Sequence, residues 1–128
     1  CGTSHANMDF RLVAHDGDGF DAWIAAQLEP AASPSGGDAA RGAALFSQSG
    51  CASCHTISGT SADGTGGPDL THLASRLTIL GGAADPTVPE LAEWISDPHS
   101  VKPGARMPAT SLSDDQLAAL VAYLSELR

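Results

Sequence analysis

The sequence has few basic residues, and this shortage limits the partners it can bind. Six Lys and Arg stand against fifteen Asp and Glu among 128 residues, for a formal net charge of −9. Binding to nucleic acid depends on clustered Lys and Arg that contact phosphates, so we expect no nucleic-acid partner. The negative charge is compatible with a basic protein partner, or with a role in solubility alone.

Long apolar runs are also absent from the sequence. No segment approaches the roughly 18–20 consecutive apolar residues that a membrane-spanning helix needs. No basic, apolar leader opens the chain. The chain as given is therefore expected to be soluble, and the question of an anchoring or targeting segment upstream of it stays open.

Aromatic residues and cysteines are few. Three Phe, two Trp and one Tyr offer little bulk for a core, which suggests that a bound group fills part of the interior. The three cysteines are Cys1, Cys51 and Cys54. An odd number in so short a chain does not fit a closed disulfide framework.

Cys51, Cys54 and His55 form CASCH, the C-x-x-C-H pattern of covalent haem attachment. The two thiols add to the two vinyl groups of a porphyrin, and the adjacent His55 reaches the iron. Structural zinc needs four ligands, and His72 would supply the fourth only in a strained arrangement. A thioredoxin-like motif expects a βαβ context, which the sequence lacks. The pattern therefore predicts one covalent haem c.

Met107 is the candidate for the second axial ligand of the iron. It lies in KPGARMP, an irregular segment in which Pro103 and Pro108 flank it. A rigid, non-helical segment suits a side chain that must be held against a metal. A thioether opposite a histidine raises the reduction potential. The alternative role of a methionine is to fill gaps in a core.

Three features are predicted for the first third of the chain. Residues 8–14 alternate apolar and polar side chains, which indicates a short strand. Residues 20–28 have the apolar spacing of a short amphipathic helix. Residues 29–37 are rich in Pro, Ser, Gly and Ala, which is typical of a linker at a domain boundary.

The rest of the chain is predicted to be helical between Gly-rich loops. Asp38 is placed to cap a helix over 39–48. A second helix is expected over 89–96, before Asp97-Pro98. Ser113 and Gln116 have the spacing of a capping box for the last helix.

Taken in order, GDAARGAALF, CASCH, GPDL, KPGARMP and LVAYL resemble a class I cytochrome c over residues 38–128. The resemblance implies an all-α fold of three to five helices around a covalent haem. It also implies that the first and last helices of this domain cross, with Gly42, Phe46 and Tyr123 at the contact.

The same resemblance implies two further haem-pocket residues, and the chemistry of an indole side chain suggests a third. The carbonyl of Pro68 would accept a hydrogen bond from Nδ1–H of His55 and fix its ring. Arg76 corresponds to an arginine that faces a haem propionate, although a solvated helix face is an equal alternative. Trp94 is a second candidate, because a buried indole N–H can donate to a propionate; its alternative is a plain core position.

The chain opens with CGTSHANM, in which Cys1, His5 and Met8 are all residue types found in copper–thiolate sites. The spacing C-x-x-x-H-x-x-M, followed by MDFRLVA and FDAW, resembles the dinuclear copper centre of cytochrome c oxidase subunit II over residues 1–28. Nitrous-oxide reductases share the copper pattern without this continuation. The resemblance implies a strand and helix from a cupredoxin-like domain, whose other Cys and His lie upstream. The alternative is that Cys1 is a lipoprotein N-terminus.

These resemblances imply a subunit II with a fused cytochrome c domain. Its haem would pass single electrons to the two copper ions, which only the parent protein holds. Its partners would be the rest of subunit II, the oxygen-reducing subunit and an upstream electron donor. The parent would lie on the outer face of a bacterial cell membrane, anchored through its missing N-terminal part, and the chain alone would catalyse nothing. The alternatives are a free or lipid-anchored monohaem cytochrome, and a haem enzyme or gas sensor with an open iron.

Overall fold

The computed structural model describes residues 4–128, which form an all-α structure. The α-helices within this range are α1 (Gly17–Leu28), α2 (Gly37–Gln48), α3 (Val88–Ser96), α4 (Pro98–Val101) and α5 (Asp114–Leu124). Short 3-10 turns lie at His5–Asn7, Cys51–Ser53 and Leu73–Ser75. β-pairing in the described range is confined to two isolated bridges. None of these helices is long and apolar enough to cross a membrane.

Helices α2 and α5 cross at very close range, and Gly42 makes the crossing possible. A Cβ atom at Gly42 would overlap the carbonyl oxygen of Ala119 and lie 2.7 Å from Cβ of Tyr123. One turn further along α2, the rings of Phe46 and Tyr123 meet edge to face with centroids 6.0 Å apart, a favourable aromatic geometry. The predicted crossing at these three residues is therefore present.

Helix α5 begins as predicted. The Gln116 N–H donates to Ser113 Oγ at 3.3 Å, and the Ser113 N–H donates to Gln116 Oε1 at 2.9 Å. This capping box satisfies two amide groups that the first turn of a helix leaves unpaired. Helix α3 spans Val88–Ser96, one residue longer than predicted.

Helix α2 begins differently from the prediction. Its N-cap is Gly36, whose φ of 111° favours glycine, and no side chain caps the first turn. Asp38, the predicted cap, instead lies inside the helix, where its carboxylate is 3.1 Å from Arg41. A negative charge in a first turn interacts favourably with the helix dipole even without capping, so Asp38 still favours the start of α2.

The core is made by α2, α3 and α5 together with the loops between them. Its buried residues include Phe46, Ile57, Leu91, Ile95 and Leu120. Helix α5 supplies much of the core, since Leu120, Val121 and Leu124 are all at least 95% buried. This core surrounds one side of a cavity described below.

The strand predicted over residues 8–14 is wrong. This segment has no regular secondary structure, and Met8, Phe10 and Leu12 are 50%, 84% and 82% exposed. A lone strand leaves its N–H and C=O groups unpaired and is not stable without neighbouring strands. No strand lies beside it among residues 4–128, so the alternating pattern has no sheet to join.

The segment predicted as a linker lies against the helical body. The N–H of Ala31 donates to the carbonyl of Ser58 at 3.0 Å, and the N–H of Ala32 donates to the carbonyl of Arg128 at 3.3 Å. The N–H and Oγ–H of Ser35 donate to the carboxylate of Glu126 at 2.8 and 2.6 Å. A composition rich in Pro, Ser and Gly therefore does not by itself mean that a segment is detached from the rest of the structure.

Candidate haem site

A cavity of about 580 Å³ lies between α3, α5 and the loops that follow α2 and α4. Cys51, Cys54 and His55 line it, and so does Met107 from a segment that is distant in sequence. The structure therefore brings together the four residues that the sequence nominates for thioether bonds and iron ligation. Most of the remaining lining is apolar, and includes Phe46, Leu70, Leu91, Ile95, Leu120 and Leu124.

The His55 ring is held by the residues that follow the Gly-rich stretch. Its Nδ1 lies 2.8 Å from the carbonyl oxygen of Pro68, which is the hydrogen bond that the resemblance implies. With Nδ1–H donating, the neutral ring presents Nε2 as a free metal ligand. The bond thus fixes both the tautomer and the plane of the ring.

Gly67 gives the His55 ring its space. A Cβ atom at Gly67 would lie 2.5 Å from Cε1 and 2.8 Å from Nδ1 of His55. The N–H of Gly67 also donates to the carbonyl of Cys54 at 2.6 Å. The sequence marked this stretch only as a loop, although a pair of adjacent glycines before a proline is a signal of close backbone approach.

Gly64 packs against the haem-attachment motif from the same loop. A Cβ atom there would overlap the backbone of Ser53 and Cys54. Its carbonyl accepts a hydrogen bond from Thr56 Oγ1 at 2.9 Å. The loop therefore supports the backbone of the C-x-x-C-H motif, so that the two cysteines and His55 are held as one unit.

The two thiols differ in their surroundings. Cys51 is half-buried and Cys54 is exposed. Burial raises the pKa of the Cys51 thiol, a backbone hydrogen bond acts against this, and the nearby Cys54 adds to the rise.

The segment that carries Met107 is fixed at both ends. Lys102 Nζ donates to the carbonyl of Leu80 at 2.8 Å, and Thr110 Oγ1 donates to the carbonyl of Ile95 at 3.0 Å. Both residues line the cavity. Sequence reasoning found the flanking prolines but missed these two anchors, because a bond to a distant backbone carbonyl leaves no sequence signal.

Arg76 and Trp94 also line the cavity. Arg76 Nη2 donates to the backbone carbonyl of Asp69 at 2.5 Å, which holds the exposed guanidinium at the cavity wall. Burial raises the pKa of the neighbouring Asp69 carboxyl, but hydrogen bonds from Thr71 and the positive charge of Arg76 outweigh this and lower it. Trp94 is half-buried and packs against the core.

His5 and Met8 of the partial copper motif lie outside the cavity lining. His5 begins a 3-10 turn, and Met8 follows it with half of its surface exposed. Cys1 lies outside the described residues. Within residues 4–128, no cluster of three or more His, Cys, Asp or Glu side chains is arranged to hold a metal ion.

The residues around the cavity fit a covalent haem. Its volume is in the range of sites that bury a small prosthetic group. The donor set contains two thiols at one end, one imidazole with its tautomer fixed, and one thioether. The apolar lining suits a porphyrin face, and the N–H groups of Arg76, Trp94 and Lys102 suit its carboxylates.

A family model described as cytochrome c matches residues 39–128. The chain belongs to the cytochrome c family. Membership in this family and the strand-free structure of the described residues confirm the predicted all-α class I cytochrome c fold. They also support haem-based electron transfer as the chemistry of this chain.

The chain is also similar to curated proteins named cytochrome c oxidase subunit 2. It is 36% identical over 129 residues to the protein of Alkalihalophilus pseudofirmus, and 36% identical over 135 residues to that of Bacillus sp. strain PS3. It is 30% identical over 132 residues to that of Bacillus subtilis. Each alignment covers all of this cytochrome c chain but only 37% of the relative's length. The similarity therefore includes the N-terminal residues that the family model leaves out.

Proposed function

We propose that this chain carries single electrons through one haem c, and delivers them to the dinuclear copper centre of a haem-copper oxidase. The observation that carries the proposal is the meeting of Cys51, Cys54, His55 and Met107 at one apolar cavity. When bound, the haem supplies an iron that alternates between Fe(III) and Fe(II). Cys51 and Cys54 would form the thioethers, and His55 and Met107 the axial pair.

The residues of the chain perform four tasks in this proposal. Pro68 orients the imidazole of His55, and the anchors at Lys102 and Thr110 hold the segment of Met107. The apolar lining excludes water, which lowers the cost of moving an electron because little solvent must reorient. Arg76 and Trp94 would donate to the propionates.

The remaining predictions concern the parent protein. Residues 1–28 would belong to the copper domain, residues 29–37 would join the two, and residues 38–128 would form the cytochrome domain. Cys1, His5 and Met8 would be copper ligands together with a Cys and a His from the preceding part of subunit II. The similarity of the whole chain to oxidase subunit 2 supports this assignment. The partners of the parent protein would be the oxygen-reducing subunit and an electron-donor protein. The parent would lie on the outer face of a bacterial membrane.

One absorption spectrum tests the haem assignment. The oxidised, haem-loaded chain is expected to show the sulfur-to-iron charge-transfer band of a methionine-ligated low-spin haem. The reduced chain is expected to bind carbon monoxide slowly, because both axial positions are taken. A missing band together with rapid carbon monoxide binding would favour the alternative, a haem enzyme or gas sensor with an open iron.

A separate experiment tests the copper assignment. The 128-residue chain, loaded with copper and dialysed, is expected to show no stoichiometric mixed-valence copper spectrum, since one thiolate does not replace a bridging pair. A natural chain that includes the second Cys and His is expected to gain two coppers per haem and to reduce them from the haem. A natural chain with no Cys a few residues before Cys1 would overturn this part, and the free or lipid-anchored cytochrome would replace it.

A further inference from the structure

The segment between α1 and α2 is fastened at three points. Ala31 and Ala32 donate backbone hydrogen bonds to Ser58 and Arg128. Ser35 makes two hydrogen bonds to Glu126, at 2.8 and 2.6 Å. We call residues 29–35 the strap. Because Ser58 follows α2 and both Glu126 and Arg128 follow α5, the strap is attached to two parts of the cytochrome body that are distant in sequence.

The first described residues are also seated on the cytochrome body. We call residues 4–11 the N-terminal arm. Ser4 is 8% exposed, and its Oγ–H donates to the carbonyl of Pro103 at 3.3 Å. Asp9 lies against Gly82: a Cβ atom at Gly82 would be 2.6 Å from the Asp9 carbonyl oxygen. The arm therefore touches two separate loops of the body.

These two loops form part of the wall of the haem cavity. Leu80 and Gly81 line the cavity on one side of the contact with Asp9, and Lys102 and Gly104 line it on either side of Pro103. The hydrogen bond from Lys102 Nζ to the Leu80 carbonyl joins the loops to each other. The arm thus rests on the outside of a wall whose inside faces the haem site.

The arm carries His5 and Met8, two residues of the partial copper motif. We infer that the strap and the arm dock on the cytochrome body, so that the copper-motif segment meets the haem across a fixed seam made by Ser4 and Asp9 on one side and Gly82 and Pro103 on the other. The identity of the electron acceptor rests on the proposed function. If the proposed function holds, His5 and Met8 would help to hold the copper centre on one side of this seam, and the residues of the haem cavity would hold the haem on the other. A single electron would then pass from the haem to the copper centre, with no bond made or broken.

A docked strap behaves differently from the flexible linker that a Pro- and Ser-rich connection usually provides. A free linker of nine residues has a root-mean-square span of roughly 15–18 Å. A tether of that kind would let the haem domain approach the copper centre and leave it again. A docked strap would instead keep the haem at a constant distance from the copper centre. Electron transfer between them would then be unimolecular and would not depend on diffusion of the haem domain.

Nuclear magnetic resonance of the haem-loaded chain tests the docking without any copper. The unpaired electron of the oxidised haem shifts nearby nuclei, and a docked arm is expected to show redox-dependent shifts at His5, Met8 and Asp9 like those of the 102–104 loop. Backbone order parameters in the strap and arm are expected near the rigid value of about 0.85. Order parameters below about 0.6, with no redox-dependent shifts in the arm, would overturn the inference.

A double variant tests the contacts themselves. Ser4→Ala with Glu126→Ala removes the polar bond of the arm and both bonds of Ser35, and is expected to lower the order parameters and redox-dependent shifts of strap and arm. Ser47→Ala with Glu93→Ala makes the same chemical change on exposed helix faces, and is expected to alter neither. Equal behaviour of the two double variants would overturn the assignment to these contacts. Failure of the haem assignment would look different, since the 102–104 loop would then lose its redox-dependent shifts as well.

Discussion

At the scale of single residues, the absence of one Cβ atom at Gly67 decides whether the His55 ring has room. A Cβ there would lie 2.5 Å from Cε1, whereas a Cβ at the adjacent Gly66 would lie 3.5 Å from Cys54 Sγ, an ordinary contact. Neither glycine has a positive φ, so backbone strain does not separate the two positions. They form a matched pair for substitution.

We therefore predict that Gly67→Ala displaces the His55 ring and weakens its bond to the Pro68 carbonyl. Overpacking of this kind costs about 1–3 kcal/mol. The variant is expected to unfold at lower temperature in its haem-loaded form and to show altered axial-histidine resonances. Gly66→Ala is the control and is expected to behave like the parent. Equal melting temperatures and unchanged histidine resonances in both variants would contradict the role given to Gly67.

Met107 offers a second prediction at this scale. If its thioether is the sixth ligand, Met107→Ala opens that position, so the reduced protein should bind carbon monoxide rapidly. The reduction potential should fall, because the ligand that favours Fe(II) is lost. Met8→Ala removes the other methionine, which is half-exposed and lies outside the cavity lining, and should change neither property. A Met107→Ala spectrum that matches the parent would refute the assignment.

At the scale of helices, the crossing of α2 and α5 gives two opposed expectations for Gly42→Ala. Alanine is the better helix former by about 1 kcal/mol, which would stabilise an exposed position. At the crossing, the added methyl group overlaps the Ala119 carbonyl, so we predict a net loss of stability. Gly17→Ala in α1, where nothing lies within 4 Å, is the control and should be neutral or slightly stabilising. Thermal unfolding decides the sign, and a stabilised Gly42→Ala would show that the helices can separate at no cost.

Helix boundaries were predictable where local chemistry sets them. The capping box at Ser113 and Gln116 and the stop at Asp97-Pro98 depend on side chains a few residues apart, and both are present. The strand at 8–14 was wrong because alternation shows that one face is apolar, but a strand also needs a partner. Asp38 shows a smaller error, since a carboxylate in the first turn and a capping carboxylate have the same sequence signal.

At the scale of the whole molecule, how well a contact can be predicted from the sequence depends on how far apart its two residues lie along the chain. The CASCH motif is contiguous, so covalent haem attachment can be predicted from five consecutive residues. The anchors Lys102–Leu80 and Thr110–Ile95 join residues 22 and 15 positions apart. Ser35 and Glu126 are 91 positions apart. No local pattern encodes such contacts, and they are the ones that fix the Met107 segment and the strap.

The contact between Ser35 and Glu126 makes one of the three attachments of the strap dependent on pH. The hydrogen bond from the Ser35 hydroxyl, and then that from its backbone N–H, hold the pKa of Glu126 below its usual value. A carboxyl with a lowered pKa stabilises the docked form fully above the pKa of the free group, and this stabilisation is lost as pH falls through the lowered pKa. We therefore expect the two bonds between Ser35 and Glu126 to be present at neutral pH and to be lost only in acid, as pH falls through the lowered pKa, while the backbone bonds of Ala31 and Ala32 persist. The Ser35 amide resonance, followed from neutral pH downward, should titrate with that lowered pKa, and Glu126→Gln should abolish the transition. A Ser35 resonance that titrates at or above the usual glutamate pKa would mean that Glu126 does not accept these two bonds.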